Sequence, residues 1–344
     1  MKLSNKNIAL VSALSTLFIT SNALACATCG CSLSSDGALG YDTAGGWGIS
    51  IDDSFINQNQ LRTGTGTISP QQVQAINEQE VENQTINRYL TLGISYTAGN
   101  DWNFKLSLPY IDRSHTTYGT DATLPLTSDQ LSSATATGFG DLKLVASYQG
   151  FLPTKNLGVQ IGVKLPTGDY GGAVDESDAV GRNPVKFGPA GNSASTYLDT
   201  SLNVGNGSTD LIVGSYYFQP VSQDFDAFID GQYQFSVKQE LDQPGSGFRP
   251  GDQFNLSFGL RYEANPQIVP QLQINLTHKS ADTGALADMT DTAGTVAYLS
   301  PGVSMSAMKN TQVYAFLQVP VYSNLNGYQL FPRYTASVGM SYHF

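Results

Sequence analysis

Three cysteines within six positions form the densest group of reactive side chains in the sequence. Cys26, Cys29 and Cys31 lie in the stretch CATCGC, and no cysteine follows them. Three interpretations stay open: a local or intermolecular disulfide with one odd thiol, a soft-metal site for Cu(I) or Zn(II), and a redox contact with a periplasmic partner. No histidine follows Cys29, so covalent haem attachment through a CxxCH motif is excluded.

The residues before the cysteines have the pattern of a secretory signal. Lys2 and Lys6 precede an apolar core, and Ala23-Leu24-Ala25 is a small-x-small cleavage site. We therefore expect a signal peptide over 1–25, a periplasmic cysteine-containing leader over 26–45 and a membrane domain over 46–344. Lipidation of Cys26 stays open as a further fate of the new N-terminus. A periplasmic location permits disulfides.

In the rest of the chain, apolar and polar residues alternate with a period of two. In DWNFKLSLPY, Trp102, Phe104 and Leu106 share one face, and Asn103 and Lys105 share the other. This period is typical of strands with two chemically different faces. About twelve such strands are predicted, over 46–57, 85–98, 101–113, 138–149, 156–166, 209–219, 224–237, 252–263, 267–279, 294–306, 310–322 and 331–344.

Composition and spacing indicate how these strands are used. Charged residues make up 13% of the chain, against about 25% in soluble domains, and glycine, tyrosine and phenylalanine are abundant. Short spacers between strands alternate with long ones. These features predict an all-β fold, a transmembrane antiparallel β-barrel of about 12 strands with short periplasmic turns and long extracellular loops, in the outer membrane of a Gram-negative bacterium. The net charge of −11 argues against nucleic-acid binding.

The last eight residues, SVGMSYHF, carry the pattern polar-x-Gly-x-x-aromatic-x-aromatic. Gly339, Tyr342 and Phe344 resemble the C-terminal signal by which outer-membrane barrels are recognised by their assembly machinery. The expected partners are therefore outer-membrane lipid and the barrel assembly machinery.

Opposite to the apolar faces lie charged residues that the alternation directs into the lumen. Two arrangements stay open: a wet pore with opposed charges that create a transverse field for small solutes, or charges that pair across a narrow interior and plug it. The candidate pore-lining residues are Lys105, Asp141, Lys143, Lys164, Asp226, Asp230, Arg261 and Arg333.

Three charges conflict with the alternation. Asp52 and Asp53 are adjacent, so strict alternation directs one of them into lipid, unless a β-bulge or a position near the rim removes the conflict. Arg88 poses the same problem near the extracellular start of its strand, where snorkelling offers a solution.

One pair of residues is a candidate for a catalytic site. His278 and Ser280 form a His-x-Ser pair, as in outer-membrane phospholipase, but no orienting third group follows from the sequence. We therefore expect no catalytic residues and no enzymatic activity.

Several stretches resemble the outer-membrane family named for the meta-cleavage pathway of phenol degradation. TGFGDLKLVASYQ, NLGVQIGVKLPTGDYGG, GNGSTDLIVGSYYF and RPGDQFNLSFGLRY are similar to its strand and turn signatures, over roughly residues 138–344. The resemblance implies an outer-membrane channel for small solutes, including aromatic or other hydrophobic ones. The alternative function is a structural barrel that docks a periplasmic redox or metal-handling partner through CATCGC, which is not part of the family pattern.

Overall fold

The computed structural model describes residues 33, 36–37, 45–76, 81–99, 101–118, 123, 125–170, 184–185, 196–197, 203–239, 248–284, 287 and 289–344. One short helix, α1, spans Pro70–Ile76, and a 3-10 turn spans Ser128–Gln130. The strands are β1 (Gly46–Gly64), β2 (Gly66–Thr67), β3 (Glu82–Ala98), β4 (Trp102–Thr117), β5 (Ser132–Phe139), β6 (Leu142–Tyr148), β7 (Leu157–Leu165), β8 (Pro184–Val185), β9 (Thr196–Tyr197), β10 (Ser208–Pro220), β11 (Phe225–Gln239), β12 (Gln253–Tyr262), β13 (Ile268–Lys279), β14 (Gly294–Met308) and β15 (Thr311–His343).

Eleven of these strands form a closed antiparallel ring. Neighbours pair in the order β15-β14-β13-β12-β11-β10-β7-β6-β4-β3-β1, and β15 pairs with β1 to close the sheet. β5 and β6 pair with different parts of β4, so together they occupy one strand position of the barrel. A closed sheet leaves no edge with unpaired backbone groups, which is the condition for crossing a membrane with strands.

The long strand β15 occupies two strand positions of the barrel. Its first part pairs with β14 and its second part with β1. The His343 backbone N–H donates to the Asn310 carbonyl at 3.0 Å, so the two ends of β15 lie together. Gly327 has φ +53°, which suits the tight turn between the two halves. The closed sheet therefore has twelve strand positions, and the transmembrane β-barrel predicted from the sequence is confirmed.

Aromatic side chains surround the barrel at the end with short turns. Ring pairs at this end, each with at least one exposed member, are Trp47 with Tyr96, Trp102 with Tyr148, and Phe225 with Tyr262, at centroid distances of 4.7, 4.8 and 5.0 Å. Above them, the outward positions carry exposed apolar side chains such as Ile49, Leu92, Ile94, Ile161, Val213, Leu272 and Ile274. An apolar band with an aromatic girdle is the surface that a bilayer requires.

The conflict of charge on the outer face is resolved by an ion pair and without a bulge. Register between β1 and β3 runs without interruption from Gly46 to Gln58. Asp52 is half-buried and accepts a hydrogen bond from the Tyr314 hydroxyl at 2.6 Å. Asp53 lies on the opposite face, where its carboxylate accepts bonds from the exposed Arg88 guanidinium at 2.5 to 3.2 Å. Of the solutions left open by the sequence, the bulge is not observed between β1 and β3, and Asp53 and Arg88 neutralise each other instead.

Inward rings lie flat because glycines stand beside them. A Cβ on Gly302 would lie 2.2 Å from the Phe316 ring, and a Cβ on Gly259 would lie 2.1 Å from the Phe228 ring. Gly158 makes the same contact with Tyr216. The missing side chains let aromatic groups lie along the inner wall. They therefore pack against the sheet.

Within the described residues, no helix is both long and apolar enough to cross a membrane.

Candidate functional site

The family-like stretches meet at one junction inside the barrel. β5 and β6 are separated at Gly140 and Asp141, where two loops reach the wall. A Cβ on Gly168 would lie 2.9 Å from the Gly205 Cα and 3.0 Å from Gly140 backbone, so glycines allow the three segments to approach this closely. Asp141 accepts the Gly168 backbone N–H at 3.0 Å and the Asn206 backbone N–H at 3.5 Å. The motifs thus build an anchor for both loops.

A buried lysine completes this junction. The Lys164 ammonium donates to Asp141 at 2.9 Å, to Asn206 Oδ1 at 2.5 Å, and to the Ser208 carbonyl and hydroxyl at 2.9 and 3.0 Å. Asp210 lies 3.4 Å away, and both aspartates are buried. Five oxygen atoms therefore surround one cation, which is the arrangement that makes a buried charge tolerable.

The other inward charges on this side are also engaged. Lys143 donates to Gln234 Oε1 at 3.1 Å, and Gln234 donates in turn to Asp210 at 2.5 Å. The Arg113 guanidinium donates to Asn87 Oδ1 at 2.6 Å and to the Tyr89 hydroxyl at 2.9 Å. We call these inward charges of β4 to β10 the charged wall; its members are Lys105, Arg113, Asp141, Lys143, Lys164 and Asp210.

Part of the predicted leader contacts the charged wall. Lys105 lies 2.5 Å from the carboxylate of Asp36, and both side chains are partly buried. Leu33 packs against the inward rings of Tyr314 and Phe316. These residues follow the cysteines closely in sequence and lie inside the barrel. The three predicted cysteine residues, Cys26, Cys29 and Cys31, lie outside the described residues, and the division at 26–45 stays a prediction.

The remaining predicted pore charges have different surroundings. Asp230 is buried at 1% exposure, and Asp226 is half-buried. Arg261 lies opposite Asp226 in register and 3.0 Å from Glu263 in the next turn. Burial raises the pKa of Glu263, and Arg261 opposes that rise.

Arg333 differs from the other predicted lining residues. Its side chain is exposed, and the structure does not bring it into the buried interior with Lys164 or Asp230. The register between β1 and β15 shifts near this residue, between Ile56 and Gln60. The assignment of Arg333 to the pore lining stays a prediction.

The opposite side of the lumen is lined by amides and hydroxyls. We call this surface the amide wall; its members are Gln232, Asn255, Gln273, Asn275, Ser300, Gln318 and Thr335, each at most 2% exposed. Asn275 Nδ2 donates to Ser300 at 2.7 Å, and Asn255 Oδ1 accepts from Thr277 at 3.0 Å. Arg261 and Lys279 lie at the two ends of this surface, and Lys279 pairs with Asp282 at 2.6 Å.

Sequence reasoning missed the amide wall and several partners of the charges. Asp36, Asp210 and Asn206 were not among the candidates, although each contacts a predicted lysine. The signal for Asp210 and the amides was the same alternation that identified Lys164, read for uncharged polar residues as well. Asp36 carried no such signal, because it precedes the first strand.

The C-terminal signal residues form part of the closing seam. Gly339 pairs with Asp52, and a Cβ there would lie 2.3 Å from the Tyr314 ring. Tyr342 and Phe344 are exposed on the outer face with their rings stacked at 5.8 Å. The Phe344 backbone N–H donates to Trp47 at 2.9 Å. Recognition by the assembly machinery stays a prediction.

His278 and Ser280 have separate partners. His278 Nδ1 lies 2.8 Å from the Thr295 hydroxyl, and Ser280 Oγ accepts the Asp252 backbone N–H at 2.8 Å. Among the described residues, no group of three or more His, Cys, Asp or Glu side chains is arranged to hold a metal ion.

Comparisons with known proteins agree with this architecture. Residues 189–338 match the family model described as "Putative MetA-pathway of phenol degradation", and the resemblance seen in the sequence is confirmed. No curated protein matches the chain.

Three solved structures illustrate the likeness of fold. An outer membrane channel from Pseudomonas putida F1 matches with TM-score 0.60 and 11% identity, over 91% of this chain and all of that one. A monoaromatic hydrocarbon channel, CymD, matches with TM-score 0.44 and 11% identity, over 91% and 94%. The Pseudomonas putida toluene transporter TodX matches with TM-score 0.42 and 11% identity, over 96% and 100%. The first match shows that the chain has an outer-membrane barrel fold.

Proposed function

We propose that this chain is an outer-membrane channel for the passive or facilitated diffusion of small solutes in a Gram-negative bacterium. The observation that carries the proposal is the closed barrel with an apolar outer band and a polar inner surface. A soluble barrel has the opposite distribution, with a packed apolar interior. Here the inward positions include Lys164, Asp210, Asn275 and Gln318, all buried inside the ring.

Aromatic or other hydrophobic solutes belong to the expected range. The family description concerns phenol degradation, and inward rings of Tyr216, Phe228, Tyr314 and Phe316 lie along the lumen wall. Flat aromatic faces pack favourably against another ring or an apolar surface. These features support a solute with an apolar part.

A liposome-swelling assay tests the proposal. Refolded protein should admit small neutral sugars into liposomes at a rate that increases with protein content. Protein whose folding is verified by heat-dependent gel migration, yet which admits no solute, would contradict the channel and leave the barrel intact.

The second candidate function is docking of a periplasmic redox or metal-handling partner through Cys26, Cys29 and Cys31. The observation that favours it is the contact of Leu33 and Asp36 with the barrel, since these residues follow the cysteines and attach the end of that segment to the protein. Replacing all three cysteines with serine should abolish bound Cu(I) or Zn(II), or capture of the partner. Unchanged metal content and unchanged capture would contradict this function.

A further inference from the structure

Two described residues that precede the first strand reach different parts of the inner wall. Leu33 is 8% exposed and packs against Tyr314 and Phe316 in the first part of β15. Asp36 lies 2.5 Å from the Lys105 ammonium on β4. In the ring, β3, β1 and the second part of β15 separate β4 from the first part of β15. The stretch from Leu33 to Asp36, which we call the strap, therefore cuts across the lumen and does not follow one strand.

The carboxylate of Asp36 also has neighbours on two further strands. It interacts electrostatically with Asp52 on β1 and with the Tyr216 hydroxyl on β10. In the ring, β10 is separated from β4 by β6 and β7, and β1 is separated from β4 by β3 on the other side. A carboxylate within electrostatic range of β1, β4 and β10 projects from the wall into the lumen.

The strap crosses the lumen near its periplasmic end. Lys105 and Tyr314 each lie three residues after the first residue of their strand, at the end of the barrel with short turns. At about 3.4 Å per residue, both lie about 10 Å along the strand from that end. One level of the barrel therefore holds both attachments of the strap.

The first attachment is apolar, and glycines prepare its place on the wall. A Cβ on Gly302 would lie 2.2 Å from the Phe316 ring, and a Cβ on Gly339 would lie 2.3 Å from the Tyr314 ring. Because both glycines lack a side chain, the two rings lie against the sheet and leave room for Leu33 above them. The contact removes most of the Leu33 side chain from water, which favours the bound position.

The second attachment is an ion pair that water and salt can reach. The exposed fractions of the two side chains are 22% for Lys105 and 27% for Asp36. An ion pair of this exposure contributes little free energy and is screened by added salt. Asp52 also interacts with Lys105, so the ammonium keeps a neighbouring carboxylate when Asp36 moves away.

We infer that the strap narrows the periplasmic half of the lumen and acts as a gate, which opens when the ion pair between Asp36 and Lys105 is weakened. This inference rests on the proposed channel function. The closed position is the one described, with Leu33 on the rings of β15 and Asp36 on β4. In the open position the strap leaves both attachments and no longer crosses the lumen. Salt, or an anion that competes for the ammonium, favours the open position.

Single-channel conductance at two salt concentrations tests the gate. The conductance step of the wild-type chain, divided by the conductivity of the solution, should rise between about 0.1 M and about 1 M KCl, because the Debye length falls from about 10 Å to about 3 Å. A charged lumen without a gate shows the opposite trend, because it concentrates counterions most strongly at low salt. Asp36→Asn should increase the step at about 0.1 M KCl by up to about fivefold, the largest change in an equilibrium that loss of a partly exposed ion pair gives, and should remove the rise with salt.

Leu33→Asn separates release of the strap from loss of a charge. This substitution changes no charge and should also increase the step, because it removes the packing on Phe316. Asp101→Asn breaks the more exposed ion pair with Lys155 in a periplasmic turn and should change neither the step nor its salt dependence. Heat-dependent gel migration verifies that each variant is folded.

The possible failures are distinguishable. A wild-type step that does not rise relative to conductivity, together with no increase in either strap variant, would overturn the gate and leave the channel intact. An increase with Asp36→Asn but not with Leu33→Asn would also overturn the gate, since the charge alone would then explain the change. No conductance in the wild-type chain or in any variant would instead overturn the proposed channel, and the gate with it.

Discussion

The charged wall and the amide wall face each other across one lumen but satisfy their polar groups in opposite ways. Lys164 is surrounded by five oxygen atoms of the protein, whereas Gln318 has no partner for either amide atom among the described residues. The more strongly polar wall is therefore the one that the protein neutralises by itself. The charged wall is thus paired within the protein, whereas the amide wall keeps buried polar atoms without partners among the described residues.

This difference has an energetic basis. A buried charge without partners costs several kcal/mol, so a fold must enclose it with oxygen atoms or lose stability. A buried amide costs about 1–3 kcal/mol when unpaired, which a barrel can tolerate at a few positions. The oxygen atoms around Lys164 and the unpaired amide atoms of Gln318 are examples of these two cases.

The largest expected effect breaks the charged wall. Lys164→Met leaves Asp141 and Asp210 buried without their cation and should lower the free energy of unfolding by about 3–5 kcal/mol. Urea unfolding in lipid vesicles measures the change. Gln318→Leu is the matched control on the amide wall and should change stability by less than about 1 kcal/mol. Equal losses for both variants would remove the distinction between the walls.

A smaller effect is expected from the flat rings on the amide side. Gly302→Ala places a Cβ 2.2 Å from the Phe316 ring and should displace that ring toward the lumen. We expect a loss of about 1–3 kcal/mol from overpacking, together with a lower single-channel conductance. Gly66→Ala is the control, because its nearest atom would be 3.9 Å away. A conductance unchanged by Gly302→Ala would mean that this ring does not border the solute path.

The smallest expected effect on stability concerns the leader. Asp36→Asn removes the partly buried ion pair with Lys105 and should cost less than about 1 kcal/mol. Conductance should rise nevertheless, because the leader loses its contact with the charged wall. Asp101→Asn breaks the more exposed pair with Lys155 in a periplasmic turn and serves as the control. A conductance that rises equally in both variants would show that the Asp36 contact does not hold the leader.

Period-two alternation was sufficient to predict the strands and the sides they present. The predicted strand 101–113 is observed as Trp102–Thr117, with Lys105 and Arg113 inward and Phe104 outward. Alternation could not reveal that β15 folds back with only a short turn, although the sequence separated it into two strands. Nor could it locate the register shift near Arg333, because shifts depend on the neighbouring strand.

The pairing of side chains was harder to predict than their direction. Asp53 and Arg88 were each identified as a conflict with lipid, but their contact required the register of β1 with β3. Glycine-aspartate motifs were recognised as family-like turns. Their contacts with Lys164 could not be predicted, because these contacts depend on where two loops lie in the fold. Pairing depends on contacts that are distant in sequence, and a single sequence does not contain the register that brings them together.

Single-channel recording in planar bilayers tests the central claim most directly. Wild-type protein, purified and verified as folded, should insert and give discrete conductance steps of uniform size, which Gly302→Ala reduces and Gly66→Ala leaves unchanged. Stable insertion of folded protein without any conductance steps, together with an absence of solute flux, would contradict the account that this barrel is a channel.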